Sequence, residues 1–397
     1  MKNVLLISYF LLFLVFGVFS FVITDPNLFL LKSDIFINFQ TYLWKNILPM
    51  QNFRTIFYGC LMVLLFTNYL LILKNWAKLN LNNKKNFWQF LIIISLPLIF
   101  SYNALSYDLF NYIFNAKMVF DFGANPHIQT AINFPDEPML RFMNNIHTPA
   151  PYGYGWTGLS LLPYALGLHK FFSTFLAFKL FAFVSLLLAL LITTKFFKKV
   201  DYFKLALLYF NPLFLIEILS SAHNDLWMLA PALLAIYLAT NLQSKKIIKI
   251  FFIIILMTLS ISIKFATLVL LPFLFYLLFQ TQLEKYIKSK YLFDLMALAL
   301  FMPLLTERSR YFLPWYLIWS LVFIPLMKNK FLKKLLIVFS FAALLRYVPW
   351  FYYLPWMSFH LDNSLLFPLQ KIITWTIPGF YLLLSGVVFL FNRRREK

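Results

Sequence analysis

Residues 4–23 read VLLISYFLLFLVFGVFSFVI, a run with no charged side chain, and this run decides the fold class. Crossing a bilayer takes about 20 consecutive apolar residues in a helix. The basic start Met1-Lys2-Asn3 gives the stretch the look of a signal peptide. It is long for one, and no small-residue cleavage pattern precedes Thr24-Asp25-Pro26, so it reads as a retained first span. Working outward, further apolar runs lie at about 55–73, 87–102, 171–193, 203–219, 225–241, 247–263, 265–280, 291–305, 312–327, 331–348 and 372–391. Together they predict twelve spans. The shorter run 156–169 is expected to be a re-entrant or interfacial segment, and would be the thirteenth if it crossed.

Composition agrees with that reading. The 397 residues are 62% hydrophobic and 12% charged, against about 45–50% apolar and about 25% charged for a soluble domain. This excludes a soluble enzyme, a disordered chain and a nucleic-acid-binding module. The short alternating strands of an outer-membrane barrel are also missing. The expected class is therefore all-α: a polytopic integral membrane protein of about 12–13 transmembrane helices, with the lipid bilayer as its first partner. Cys60 is the one cysteine; it rules out an intramolecular disulfide and reads as a small core residue.

The net charge of +21 could suggest nucleic acid, but the basic residues sit in short loops between apolar runs. Threading twelve spans from a cytoplasmic N-terminus puts most of them inside, as basic-inside insertion requires. Asp25, Asp34, Asp108, Asp121, Asp136, Glu137, Asp225, Glu307 and Asp362 then fall outside. Insertion follows Lys and Arg, so those acids need another reason.

The largest outer loop covers about 103–155. Residues 106–120 have helical spacing of apolar side chains and predict an amphipathic helix lying on the membrane surface, ended by Gly123-Ala124-Asn125-Pro126. Asp108 opens that helix. A carboxylate there can take a proton from a sugar hydroxyl, or simply be favoured by the free N–H groups of a helix start. An aromatic outer segment, 349–371, suits the headgroup level.

Ser220-Ser221-Ala222-His223-Asn224-Asp225 offers more polar groups than a helix cap needs. It could hold a substrate hydroxyl, a phosphate or a divalent cation; one His and one Asp are too few for an assigned metal site. Lys264 interrupts the apolar stretch 247–280. A lysine at mid-bilayer costs about 2.5–3.5 kcal/mol on insertion scales, so a helical hairpin turning at Lys264 is expected. There it could meet a phosphate or snorkel to the interface. Thr306-Glu307-Arg308-Ser309-Arg310 places two arginines outside, against the basic-inside trend. Their forked donors suit a phosphate, although a solvated Glu–Arg turn has the same composition. Arg346 is a further cation candidate.

No nucleotide-binding glycine loop is present. An enzyme working outside would need an energised substrate delivered through the bilayer, and a polyprenyl-phosphate sugar meets that need.

Ser106-Tyr107-Asp108, Tyr112, Gly123-Ala124-Asn125-Pro126-His127 and Thr148-Pro149-Ala150-Pro151-Tyr152-Gly153 resemble the first extracytoplasmic loop of GT-C fold glycosyltransferases. The group they resemble most is the bacterial polyprenol-phosphate-mannose-dependent α-mannosyltransferases. His223-Asn224-Asp225, the lysine-bearing span at Lys264 and Pro314-Trp315-Tyr316-Leu317 resemble its later motifs. The resemblance runs from about 100 to 320. It implies a metal-independent or cation-assisted inverting transfer of a hexose, most simply mannose, to a glycan or glycolipid on the extracytoplasmic face of a prokaryotic plasma membrane.

Asp108 takes the role of base by that resemblance. Substrate binding falls to His223, Asn224, Asp225, Lys264, Arg308, Arg310, Tyr152 and Asn125. No cofactor is assigned, and a divalent cation is the one left open. The chain differs from the family pattern at His127, where tyrosine is frequent, and at Tyr154, where proline is usual. The expected layout is one domain over 1–397: two N-terminal spans in 1–86, a GT-C-like core in 87–320 and C-terminal spans in 321–397. A carrier or flippase of lipid-linked glycans is the alternative. It predicts midplane charges and paired half-spans in a repeat, of which only Lys264 is found.

Overall fold

The computed structural model describes residues 2–28, 30–241, 246–279, 289–305, 312–354 and 363–395. Among these every regular element is helical. Five helices are long and apolar enough to cross a membrane, within Val4–Ile23, Gln51–Lys74, Phe171–Thr194, Lys330–Tyr353 and Leu366–Phe389. A sixth is a bent pair, Tyr202–Tyr209 and Pro212–Ser220, angled at 61°. The chain is a polytopic helical membrane protein.

Of the twelve expected spans, helices of full spanning length account for five or six among the described residues. Helix α1 (Lys2–Ser20), α2 (Asp34–Asn46), α3 (Gln51–Lys74) and α4 (Lys84–Ile99) open the chain. Four later runs fold as apolar helices of 10–17 residues: Asp225–Thr240, Ile247–Ile263, Phe265–Leu278 and Leu292–Leu304. At 1.5 Å per residue, 16 residues reach only about 24 Å of the roughly 30 Å hydrocarbon layer. The run 312–327 is no regular span: a 3-10 turn Pro314–Leu317, a short helix Ile318–Leu321 and turns fill it. Most of its residues are buried in the protein.

The loop after α4 also departs from expectation. Its helix, α5 (Asp108–Phe122), starts at an acid in the first turn and ends at Gly123, whose φ of 60° makes it a left-handed cap. It does not lie half-immersed on a surface. Leu109, Phe110, Asn111, Tyr112, Ile113, Phe114, Ala116 and Met118 are all buried, so protein encloses α5 as far as Met118, and only its last turn, with Phe120 and Phe122, is exposed.

Three of the loop acids find structural partners. Asp25 accepts from Arg141 at 3.1 Å, Glu137 pairs with Lys117 at 2.6 Å, and Asp121 accepts from Tyr164 at 2.5 Å. These pairs tie the loop down, a structural reason for carboxylates there.

Past the loop come α6 (Tyr154–Leu166) and α7 (Phe171–Thr194). With 13 residues α6 is about 20 Å long, too short to cross. The bent pair is α8 (Tyr202–Tyr209) and α9 (Pro212–Leu215). Asn211 makes the break: its Oδ1 accepts from the N–H of Leu213 and of Phe214 at 3.0 and 3.4 Å. Pro212 has no N–H to continue the first helix. A π turn, Ile216–Ser220, follows and leads into α10 (Asp225–Thr240).

Helix α11 (Lys246–Ile263) ends at Lys264, whose extended backbone starts a 3-10 turn, Phe265–Leu270, before α12 (Leu271–Leu278). The break expected at Lys264 is there, and Ser260 Oγ bonds Thr267 Oγ1 across it at 2.8 Å. One buried cluster runs from Tyr9 in α1 to Leu354. Cys60 faces outward from α3, not into that core: in a membrane helix a small apolar side chain is as well placed against lipid.

Candidate active site

Two close backbone contacts bring the site together. Gly153 N–H donates to Ile263 O at 3.0 Å, and a Cβ at Gly153 would stand 2.0 Å from Ser262 O. A Cβ at Gly155 would stand 2.1 Å from Ser262 Oγ. Without side chains there, the start of α6 can press onto the end of α11. That contact sets Tyr152 beside Lys264, whose Nζ lies 4.8 Å from the Tyr152 ring centre.

Asp108 faces the same tyrosine. Its Oδ2 accepts from the Tyr152 hydroxyl at 2.5 Å and from the Tyr112 hydroxyl at 3.4 Å. Burial raises the Asp108 carboxyl above its ordinary value; the Tyr152 hydrogen bond and the Lys264 charge pull it back in part. The carboxylate opens onto a cavity of about 560 Å³, shared with Asn111, Tyr152, Trp315, Arg346 and Trp350. A second cavity of about 410 Å³ lies across Tyr152 and Tyr316, and Lys264 lines it.

Asp225 sits behind that wall, fully buried. Its Oδ1 accepts from Lys264 Nζ at 2.7 Å and from Trp319 Nε1 at 2.6 Å. Its cation is thus the lysine's ammonium. Among the described residues no group of three or more His, Cys, Asp or Glu could hold a metal ion.

His223 stacks on Trp315 with ring centres 4.1 Å apart. Its Nδ1 stands 3.6 Å from Asp108 Oδ2 and its Nε2 stands 3.3 Å from Glu217 Oε2. Glu217 Oε1 in turn accepts from the Tyr347 hydroxyl at 2.8 Å. Asn224 is buried, makes no side-chain cap on α10, and neither atom of its amide has a hydrogen-bond partner.

The structure therefore brings Asp108, Tyr152, His223, Asp225 and Lys264 into one cluster, with Asn224 in the same turn. His223, Asn224 and Asp225 are not among the residues lining the two cavities; they stand beneath the groups that are. Asn125 lies apart. Its Oδ1 accepts from His127 N at 2.9 Å and its Nδ2 reaches the Tyr154 hydroxyl at 3.3 Å. Arg308 and Arg310 lie outside the described residues.

Four contributors escaped the sequence reading as site residues. Glu217 was counted within an apolar run, although a lone carboxylate in such a run is itself a functional signal. Lys179, inside α7, had the same signal. It is buried and donates to the carbonyls of Leu219 and Ser220. Trp319 and Tyr347 had none, because aromatics are everywhere in this chain.

The fold and site define a membrane-embedded helical protein with a carboxylate, a tyrosine and a lysine gathered beside a large cavity. Over residues 30–280 the chain matches the family model described as alpha-(1->6)-mannopyranosyltransferase, N-terminal domain, of the MptA_B family. It belongs to that family of mannosyltransferases. Asp108, Tyr152, His223, Asp225 and Lys264 all fall in the matched part. Nothing matches among curated proteins or among solved structures.

Proposed function

We propose that this chain moves mannose from a polyprenyl-phosphate carrier to a hydroxyl of a glycan or glycolipid, on the extracytoplasmic face of a prokaryotic plasma membrane. The observation that carries the reading is Asp108: a carboxylate held by two tyrosine hydroxyls, with its edge in a cavity of sugar-binding size. The acceptor oxygen attacks the anomeric carbon as Asp108 takes its proton. The bond to phosphate breaks and the electron pair leaves with the phosphate. Lys264 and Arg346, with Arg308 and Arg310, stabilise that growing charge.

Asp225 and Trp319 hold the Lys264 ammonium, and His223 and Asn224 support the wall behind Asp108. Asn125 shapes the loop. A single displacement inverts the anomeric carbon, so an α-linked product requires a β-linked donor. The carrier also supplies an activated sugar without calling on a nucleotide-binding glycine loop. The basic loops support the sidedness.

The test incubates membranes holding the full-length protein with radiolabelled polyprenyl-phosphate mannose. Label is expected in a new glycan or glycolipid, and Asp108→Asn should abolish it while the protein still elutes as a single folded species. Undiminished transfer by that variant removes the base. A cysteine at the exposed position Ile128 should react from outside sealed cells; reaction only from the cytoplasmic side overturns the sidedness.

A further inference from the structure

The mechanism above leaves one buried acid unused. Glu217 lies in the π turn Ile216–Ser220 and is fully buried. Such wide turns are frequent at functional sites. The turn closes through Ser221 N to Ile216 O and His223 N to Glu217 O, at 3.0 and 3.2 Å. Ala222 takes φ 55°, which a residue with a Cβ rarely adopts. The result swings His223 back over Glu217 and places the imidazole between two carboxylates on different elements.

The partners of each atom decide the proton's position. Asp108 Oδ2 already receives the Tyr152 and Tyr112 hydroxyls. Glu217 Oε1 is taken by Tyr347, and its Oε2 faces His223. The nearer gap is on the Glu217 side, 3.3 against 3.6 Å. Neither contact is a formed hydrogen bond, since both ring nitrogens of His223 and Glu217 Oε2 lack a hydrogen-bond partner, and such pairs tighten in the reacting complex. A neutral imidazole has one N–H, and the bond made by that nitrogen sets which lone pair is free.

We propose that Glu217 is a positioning residue for the transfer: it holds His223 with its proton on Nε2, leaving the Nδ1 lone pair to receive the proton that Asp108 removes from the acceptor. This rests on the base reading of Asp108. As the acceptor C–O bond forms and the bond to phosphate breaks, the proton passes from the acceptor oxygen to Asp108 and on to Nδ1. The imidazolium then lies between two carboxylates. After release of product it returns the proton through the exposed edge of Asp108 to water. The charged and titratable groups around the ring are Asp108 from α5, Glu217, Asp225, Lys264, Lys179 from α7, Tyr347, Tyr112 and Tyr152.

Glu217→Gln keeps the shape and removes the charge. Its kcat should fall at least about tenfold with the donor KM unchanged, and the acid limb of the pH profile should move. A wild-type kcat and pH profile in a folded Glu217→Gln protein overturn the proposal. A second measurement needs no variant at that site. In the wild-type protein carrying 15N-histidine, His127, His147, His169 and His360 are assigned through single Gln substitutions, leaving His223. Its shifts should show the Nε2–H form, and an Nδ1–H form overturns the proposal. If Asp108→Asn transfers normally, the base reading fails instead, and the tautomer still reports on Glu217.

Discussion

The hydroxyl of Tyr152 stands 2.5 Å from Oδ2 of Asp108. The ring of the same tyrosine lies under the Lys264 ammonium, and it lines both cavities. One side chain therefore touches the proposed base, the proposed phosphate ligand and the two spaces in which donor and acceptor would meet. Its position rests on a glycine pair that lets two backbones touch.

Removing the Tyr152 hydroxyl should change the pH at which transfer begins. Asp108 acts only when ionised, and burial already holds its pKa above the ordinary carboxylate value. Activity therefore rises with pH through that raised value. The Tyr152 hydrogen bond and Lys264 both lower it, so Tyr152→Phe and Lys264→Met should each move the acid limb to higher pH. Initial rates across pH 4–9 check this; a limb moved to lower pH contradicts it.

Gly153→Ala should loosen the junction that builds the site. The added Cβ would lie 2.0 Å from a backbone oxygen that cannot turn aside. Overpacking of this kind costs about 1–3 kcal/mol. Thermal unfolding in detergent should show a lower midpoint, and kcat should drop as Tyr152 is displaced. By contrast, Gly158→Ala meets nothing within 4 Å and should be silent.

Lys179→Met keeps most of the unbranched side chain and strips its donors. The carbonyls of Leu219 and Ser220, freed by the π turn, then lose their partner in a buried place. An unsatisfied buried acceptor costs about 1–3 kcal/mol. A lower unfolding midpoint is expected, partly restored by Lys179→Gln. An unchanged midpoint for the Met variant contradicts the assignment.

Arg346→Met should act on the donor phosphate. The guanidinium is nearly buried, donates to Thr374 Oγ1 at 3.2 Å, and lines the cavity that Asp108 shares. If it stabilises the charge growing on phosphate, kcat/KM falls by about tenfold, roughly 1.4 kcal/mol, with kcat lowered as well as the donor KM raised. A donor titration at fixed acceptor separates the two.

The two departures from the family pattern read differently in three dimensions. His127 and Tyr154 stand far apart in sequence, and each alone looks like the loss of a motif residue. In the fold their ring centres lie 3.9 Å apart at a 34° tilt, with Asn125 bonded to both residues. They form one local packing unit, away from Asp108.

Much of the architecture was legible in advance. Apolar runs mark membrane helices because lipid leaves a spanning backbone few alternatives. The break at Lys264 was legible because a charge at mid-bilayer is costly. Span count was not, since an apolar stretch such as 312–327 serves equally as buried irregular chain. Helix α5 misled for a related reason: periodicity reports one apolar face, and cannot report that protein covers the other.

The sequence by itself determined that this is a helical membrane protein, and that Asp108, His223, Asp225 and Lys264 are polar groups out of place in it. Their order and residue types are local properties of the chain. Only the tertiary structure decided that Lys264 meets Asp225, that Tyr152 bridges to Asp108, and that Glu217 reaches His223. Those contacts depend on the glycine approach at 153, the π turn at 216–220 and the left-handed Ala222. Each is a backbone geometry fixed by packing between distant elements, where no run of neighbouring residues carries the information.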